Sequence, residues 1–244
     1  MPCSSRFCTR QLWLKTMQSY SDSKISCKVF DSRLRMGGCM MVSGPSRAGK
    51  STFCLRLLSQ RLLLFDQPPK RMIWYHGCPQ PELHATLRRL GVQVCEGLSN
   101  LDLQPHDLIV IDDLLDEAAA SRELRHLFTR EAHHKPCFVI LITQNLFFKG
   151  REWRTISINC TYIVLFNNPR DASAVQALSQ QCFPKRRTLL VELMDRLVRD
   201  GDQRYLLLDF HPASPHELRL RPIFSPMRPR SEFIYKNGSV SALS

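Results

Sequence analysis

The stretch that most limits what this chain can become is Cys39 to Phe53, CMMVSGPSRAGKSTF. Met40, Met41 and Val42 form an apolar run that predicts a buried strand. Gly44, Pro45, Ser46, Arg47, Ala48, Gly49, Lys50 and Ser51 then satisfy G-x-x-x-x-G-K-[ST] at every fixed position. A helix is expected from Thr52 to Leu63, with Phe53, Leu55, Leu57 and Leu58 on its apolar side. Strand, glycine-framed loop and helix are the setting this motif requires. Gly44 and Gly49 let the loop curl its N–H groups around phosphate oxygens, and the helix adds its positive end. In this pattern Lys50 reaches the β- and γ-phosphates and the Ser51 hydroxyl binds Mg²⁺. Residues 44 to 52, through Thr52, are therefore the expected nucleotide cradle, with ATP and Mg²⁺ as cofactors.

Composition narrows the setting. A chain of 244 residues suits one sizeable domain with short extensions. Thirty-four Lys and Arg against 22 Asp and Glu give a net charge of +12, which favours an anionic partner such as nucleic acid. The 10 cysteines do not read as a disulfide framework. Cys39, Cys54, Cys95, Cys137 and Cys160 lie in or beside apolar runs, where a free thiol packs as a small hydrophobe. There is no C-x-x-C pair and no zinc-finger spacing, so reduced intracellular thiols are expected. The first residues lack the continuous apolar core of a signal peptide, and no stretch is apolar enough to span a membrane. A soluble intracellular protein is expected.

Short apolar strands alternate with helical stretches, which predicts an α/β domain with a mainly parallel central sheet flanked by helices. Three segments are expected: a basic N-terminal extension at 1–24, the core domain at 25–224, and a loose basic tail at 225–244. Ile25 to Phe30 reads as a strand entering the core. Further strands are expected at Met72 to Tyr75, Val92 to Cys95, Asp107 to Asp113, Phe138 to Ile142, Tyr162 to Phe166, Tyr205 to Phe210 and Leu218 to Phe224. Helices are expected at Pro81 to Leu90, Asp171 to Gln181 and Arg187 to Arg199. Leu114 to His133 reads as one long helix. The basic side chains Lys149, Arg151 and Arg154 fall in an exposed loop.

Two strand ends carry chemistry. Asp107 to Asp113 resembles a Walker B strand, which presents carboxylates at the end where open α/β sheets bind ligands. Asp112 is the expected Mg²⁺ carboxylate. Asp113 is the expected group that orients or deprotonates the attacking water; the competing role is N-cap of the next helix. Phe138 to Ile142 ends at Thr143, Gln144 and Asn145. That strand is expected between the phosphate-loop and Asp112 strands, where Gln144 can sense the γ-phosphate.

Together these elements resemble the FtsK–HerA superfamily of DNA-pumping P-loop ATPases, of the additional-strand type. LIVIDDL at Leu108 to Leu114, FVILITQNLF at Phe138 to Phe147, YIVLFNNPRD at Tyr162 to Asp171 and YLLLDF at Tyr205 to Phe210 look like the packaging ATPases of Maverick/Polinton elements and adintovirus-like viruses. These are similar in role to the poxvirus and adenovirus packaging ATPases. The resemblance spans about Gly38 to Phe224. It implies a homo-oligomeric ring, a hexamer, that drives double-stranded DNA into a capsid in the host nucleus or cytoplasm, with capsid protein as a partner. In such a ring a neighbouring subunit supplies an arginine to the γ-phosphate. Arg130 is the leading candidate, with Arg151, Arg154 and Arg170 behind it. DNA contacts are expected to be sequence-indifferent backbone contacts, through Lys149, Arg151 and Arg154 and through a second basic region of Arg219, Arg221, Arg228 and Arg230.

Other readings of the same residues are a helicase or clamp-loader-like ATPase, a nucleotide or small-molecule kinase, and a non-enzymatic remnant of a mobile element. No helicase motifs follow Gln144. The basic charge opposes a kinase. Intact Gly44, Gly49, Lys50, Ser51 and Asp112 oppose loss of nucleotide binding.

Overall fold

The computed structural model describes residues 31–98, 104–131, 136–200, 205–224, 233–236 and 239–242. These fall in the unit Asp31–Ser244. The expected extension at 1–24 and the expected strand Ile25 to Phe30 lie outside the described residues.

The chain opens into β1 (Cys39–Ser43), then α1 (Lys50–Ser59), α2 (Arg61–Leu64), β2 (Arg71–His76), α3 (Pro81–Arg89), β3 (Gln93–Glu96) and β4 (Asp107–Asp112). It continues through α4 (Leu115–Ala120), α5 (Arg122–His126), a π-turn (Leu127–Glu131), β5 (Phe138–Thr143), α6 (Trp153–Ile158) and β6 (Tyr162–Phe166). It closes with α7 (Ala172–Cys182), α8 (Leu189–Asp200), β7 (Tyr205–Asp209), a 3₁₀ turn (His216–Leu218), β8 (Leu220–Arg221) and the antiparallel pair β9 (Phe233–Lys236) and β10 (Ser239–Ala242).

Eight strands form one sheet in the order β3-β2-β4-β5-β1-β6-β7-β8. Pairing is parallel from β3 through β6 and antiparallel at β6–β7 and β7–β8. This is the expected α/β architecture with a mainly parallel central sheet. The additional strand is β5, between β1 and β4 as expected. The central strands are apolar almost throughout because helices cover both faces. Met40 and Val42 face a layer with Phe53, Cys54, Leu57 and Leu58 of α1. Cys39 and Met41 face the opposite layer with Leu124, Phe128, Trp153, Leu178 and Met194. Burying both sides of β1 and β5 fixes their register, so the loops at their C-terminal ends are held firmly.

Several elements differ from expectation. The helix after the phosphate loop breaks at Gln60. The long helix expected over Leu114 to His133 is interrupted at Ser121, whose ψ of 119° is extended. The Ser121 hydroxyl accepts from Leu124 N at 3.0 Å and so starts a new helix as its N-cap. The segment around Arg154, expected as loop, is α6, anchored by buried Trp153 and Ile156. The tail, expected to be loose, contains β9 and β10. The strand expected over Leu218 to Phe224 shrinks to two residues.

Candidate active site

The phosphate loop sits where β1 meets α1. Gly44 N donates to Thr143 O at 3.2 Å, tying the loop to the end of β5. A Cβ on Gly44 would lie 2.4 Å from Phe166 Cβ, so β6 packs against this residue too closely for any side chain. Gly49 has φ 97° and caps α1 without any side-chain hydrogen bond. The first N–H groups of α1 therefore keep their donors for a ligand. Arg47, at φ 63°, also holds a left-handed conformation.

Lys50 is buried, and its ammonium donates to Gly44 O at 2.7 Å and Pro45 O at 2.8 Å. Burial lowers its pKa, opposed by the charges of Asp112 and Asp113. Next to it, the Ser51 hydroxyl donates to Asp112 Oδ2 at 3.0 Å. Burial raises the Asp112 pKa; the Ser51 hydrogen bond opposes that, Asp113 adds to it, and Lys50 and His76 oppose it. Asp112 is in register with His76 on β2. The His76 ring lies 4.1 Å, centroid to centroid, from that of His84, and both are buried. Burial, then His76 and Arg88, lower the His84 pKa.

Asp113 leaves the strand at φ 57° and is exposed. Its competing role as a helix cap is not realised: the N-cap of α4 is Leu114, with no side-chain cap. Asp113 is instead shaped by the end of β2. A Cβ on Gly77 would lie 2.0 Å from Asp113 O, so the two backbones touch. Gly77 N donates to Asp112 O at 3.0 Å, and the Cys78 thiol hydrogen-bonds the Asp113 side chain, which raises the Cys78 pKa.

Lys50, Ser51, Asp112 and Asp113 line one open cleft of about 620 Å³. Ser46, Arg47, Gly49, Lys50, Ser51 and Thr52 form its floor. Asp112, Asp113, Gln144 and Asn145 form the β4–β5 wall. Thr143 shapes the Gln144 turn: its hydroxyl donates to Asn145 O at 2.8 Å and accepts from Asn145 N at 3.1 Å. Gly44, Pro45 and Ala48 support the loop by their backbone, Ala48 N donating to Pro45 O at 3.2 Å. Gln80 and Phe148 also line the cleft, although neither belongs to a sequence motif. Gln80 directly precedes the proline that starts α3, a position whose only sequence signal is helix initiation.

The arginines divide. The side chain of Arg130 lies outside the described residues. Lys149, Arg151, Arg154 and Arg170 are exposed. Arg221, expected to contact DNA, is buried: its guanidinium donates to Asp209 at 2.6 Å, to Leu218 O, and to Ser32 O at 3.1 Å. A residue consumed by a buried ion pair is no part of a basic surface. Arg228 and Arg230 lie outside the described residues. Among the described residues no helix is long and apolar enough to cross a membrane, and no cluster of three His, Cys, Asp or Glu could hold a metal ion.

No protein-family model and no curated protein matches this chain. Among solved structures, the DNA-packaging ATPase B204 of Sulfolobus turreted icosahedral virus shares 11% identity over 72% of this chain and 94% of that one, with a TM-score of 0.46. The flagellar accessory protein FlaH of Methanocaldococcus jannaschii shares 13% over 55% and 73%, at 0.39. A KaiC-like protein of Pyrococcus horikoshii shares 9% over 89% and 99%, at 0.41. At such values the functional reading rests on the chain's own side chains.

Proposed function

We propose that the chain is an ATPase that moves double-stranded DNA, packaging a viral or transposon genome into a capsid. The observation that carries the hydrolytic part is the convergence of Lys50, Ser51, Asp112, Asp113 and Gln144 on one cleft at the C-terminal edge of the sheet. Lys50 would exchange its two carbonyl partners for β- and γ-phosphate oxygens, and the N-terminal N–H groups of α1 would complete the cradle. The Ser51 hydroxyl and Asp112 carboxylate, 3.0 Å apart, are a hard-oxygen donor set that fits Mg²⁺. When bound, that ion supplies charge neutralisation on the phosphates. Asp113, exposed at the cleft wall, orients or deprotonates the attacking water, and Gln144 faces the γ-phosphate end.

The DNA part of the proposal is supported by the +12 charge, by exposed Lys149, Arg151 and Arg154 just beyond β5, and by the resemblance of the ITQNLF and NPRD stretches. The basic segment is tied to the helices that follow Asp113. Glu152 N donates to Ala119 O at 3.1 Å, and the Glu152 carboxylate pairs with Arg125 at 3.0 Å. In a ring, a neighbouring copy would bring an arginine to the exposed cleft, with Arg130 the leading candidate.

The test is the ATPase rate with and without long duplex DNA, at rising salt. Strong stimulation by duplex of any sequence, lost steeply with salt, is expected. Stimulation by single strands alone would indicate a helicase-like enzyme. Stimulation by a small acceptor molecule would indicate a kinase.

A further inference from the structure

Gln80 lines the same cleft as Asp113 without belonging to any motif of the sequence. We propose that its side-chain carbonyl holds the attacking water in line with the γ-phosphate, as a second acceptor beside Asp113. The proposal rests on reading the Lys50 cleft as the site of ATP hydrolysis.

The local structure presents this side chain to the cleft instead of using it to start a helix. Gln80 is the N-cap of α3, yet its side chain makes no cap bond. Glutamine is not among the residues that cap well. Pro79 and Pro81 flank it, which fixes φ on either side, and the following proline keeps Gln80 out of helical angles. It sits at φ −128° and ψ 83°. Gln80 O accepts from His84 N at 2.9 Å, the bond that opens α3. The same short loop is fastened to the Asp113 turn at its other end. Gly77 N donates to Asp112 O at 3.0 Å, and the Cys78 thiol hydrogen-bonds the Asp113 side chain. A stiff arm therefore carries one amide from the end of β2 into the cleft.

The sheet order β2-β4-β5-β1 sets Gln80, Asp113, Gln144 and the phosphate loop side by side. With strands about 4.8 Å apart, the end of β2 lies about 14 Å from that of β1. In an in-line displacement the water enters opposite the leaving group. ADP departs from the phosphate loop over β1, so the water enters from the β4 and β2 side, where Asp113 and Gln80 stand. Its oxygen bonds to the γ-phosphorus while the bond from that phosphorus to the β–γ bridging oxygen breaks. ADP leaves with the electron pair. A water that aims a lone pair at phosphorus has two O–H groups to place. Asp113 accepts one and takes that proton. Gln80 Oε1 accepts the other, on the far side of Asp113 from the phosphates. A neutral amide does this without adding a like charge beside Asp112 and Asp113. Asp116, exposed on α4, also lines the cleft and is the competing acceptor.

The experiment uses the full chain with Gln80→Leu, Gln80→Ala, Gln80→Glu and Asp116→Asn. Steady-state ATP hydrolysis is measured beside the Kd for ADP alone and for ADP with aluminium fluoride, which mimics the γ-phosphate in transit with its water. Gln80→Leu and Gln80→Ala are expected to lower kcat about tenfold or more, with KM and the ADP Kd within about twofold. Affinity for ADP with aluminium fluoride should fall in step with kcat. Gln80→Glu, which keeps an oxygen at the same reach, should recover most of the rate. Melting curves verify folding, and either apolar variant alone carries the test. Parental kcat in a folded variant overturns the role of Gln80, as does an equal loss of affinity for ADP with and without aluminium fluoride. So does a kcat loss confined to Asp116→Asn. Each of these leaves the ATPase reading intact. A wild-type chain that neither hydrolyses ATP nor binds ADP overturns that reading, and the Gln80 role with it.

Discussion

The Ser51 hydroxyl donates to Asp112 Oδ2 at 3.0 Å, joining the first turn of α1 to the end of β4. The acceptor is a buried carboxylate whose pKa is raised, chiefly by that burial. Such a group keeps its proton in the folded chain over a window where the unfolded chain has lost it. Its contribution to stability is therefore full below the ordinary value of 3.8 and is lost as pH rises through the raised native value. Binding of a cation runs the other way, because the ligand must be ionised. Mg²⁺-dependent nucleotide affinity is expected to fall as pH drops through the raised value. Asp112→Asn should flatten both dependences, lower kcat about 10²-fold or more, and leave the nucleotide-free protein at neutral pH no less stable than the parent. Titration calorimetry and melting curves across pH check this; an Asp112→Asn chain that keeps the parental pH profile refutes it.

Asp113 combines a proposed chemical role with a left-handed backbone at φ 57°. Asp and Asn tolerate that region better than other side chains. Asp113→Asn should retain stability and lose about 10²-fold or more in kcat, with ATP still bound. Asp113→Ala should lose comparable activity and in addition cost about 1 kcal/mol of stability. Paired kinetics and thermal melts separate the two effects. Full activity in Asp113→Asn would remove this residue from the chemistry.

The sequence made the cradle legible because its determinants are local: strand, glycines, Lys50 and Ser51 occupy one short run. The strands carrying Asp112 and Gln144 were legible for a related reason, since continuous apolar stretches identify buried parallel strands and polar residues end them. What stayed hidden depends on contacts distant in sequence. Nothing near Gly77 reveals that it touches the Asp113 backbone. Nothing near Arg221 reveals that Asp209 neutralises it, so it read as one more surface cation. Ser121 shows a third limit. The apolar pattern around it runs on in helical phase, and only the hydroxyl's bond to Leu124 N starts the chain afresh.

Gly77 is the residue through which β2 meets the catalytic turn. Its N–H bonds Asp112 O, and a Cβ there would sit 2.0 Å from Asp113 O, a backbone atom that no side-chain rotation can move aside. Gly77→Ala must displace one backbone or the other. A loss of about 1–3 kcal/mol is expected, as for other overpacked sites. Because the displaced atom belongs to Asp113, kcat should fall more than KM rises. Denaturant melts and steady-state kinetics measure both; a variant with lowered stability but parental kcat would show that the contact is only structural.

Arg221 and Asp209 form an ion pair at 2.6 Å with both side chains almost wholly buried. Asp209 also accepts from His211 N and from Ser214 Oγ, each at 2.9 Å, so the pair organises the turn between β7 and β8. Removing the guanidinium leaves a buried carboxylate without its countercharge, and Arg221→Ala should cost about 3–5 kcal/mol. Adding Asp209→Asn to Arg221→Met should recover part of that loss, since no charge is then buried while the turn keeps an acceptor. Neither change should weaken DNA binding by the folded fraction. Alanine at Lys149, Arg151 and Arg154 should weaken it and flatten its salt dependence, by about one unit of slope for each phosphate no longer neutralised. Melts and salt-titrated binding on the two sets of variants make the comparison. An Arg221→Met, Asp209→Asn chain that folds fully yet loses DNA affinity would return Arg221 to the DNA surface.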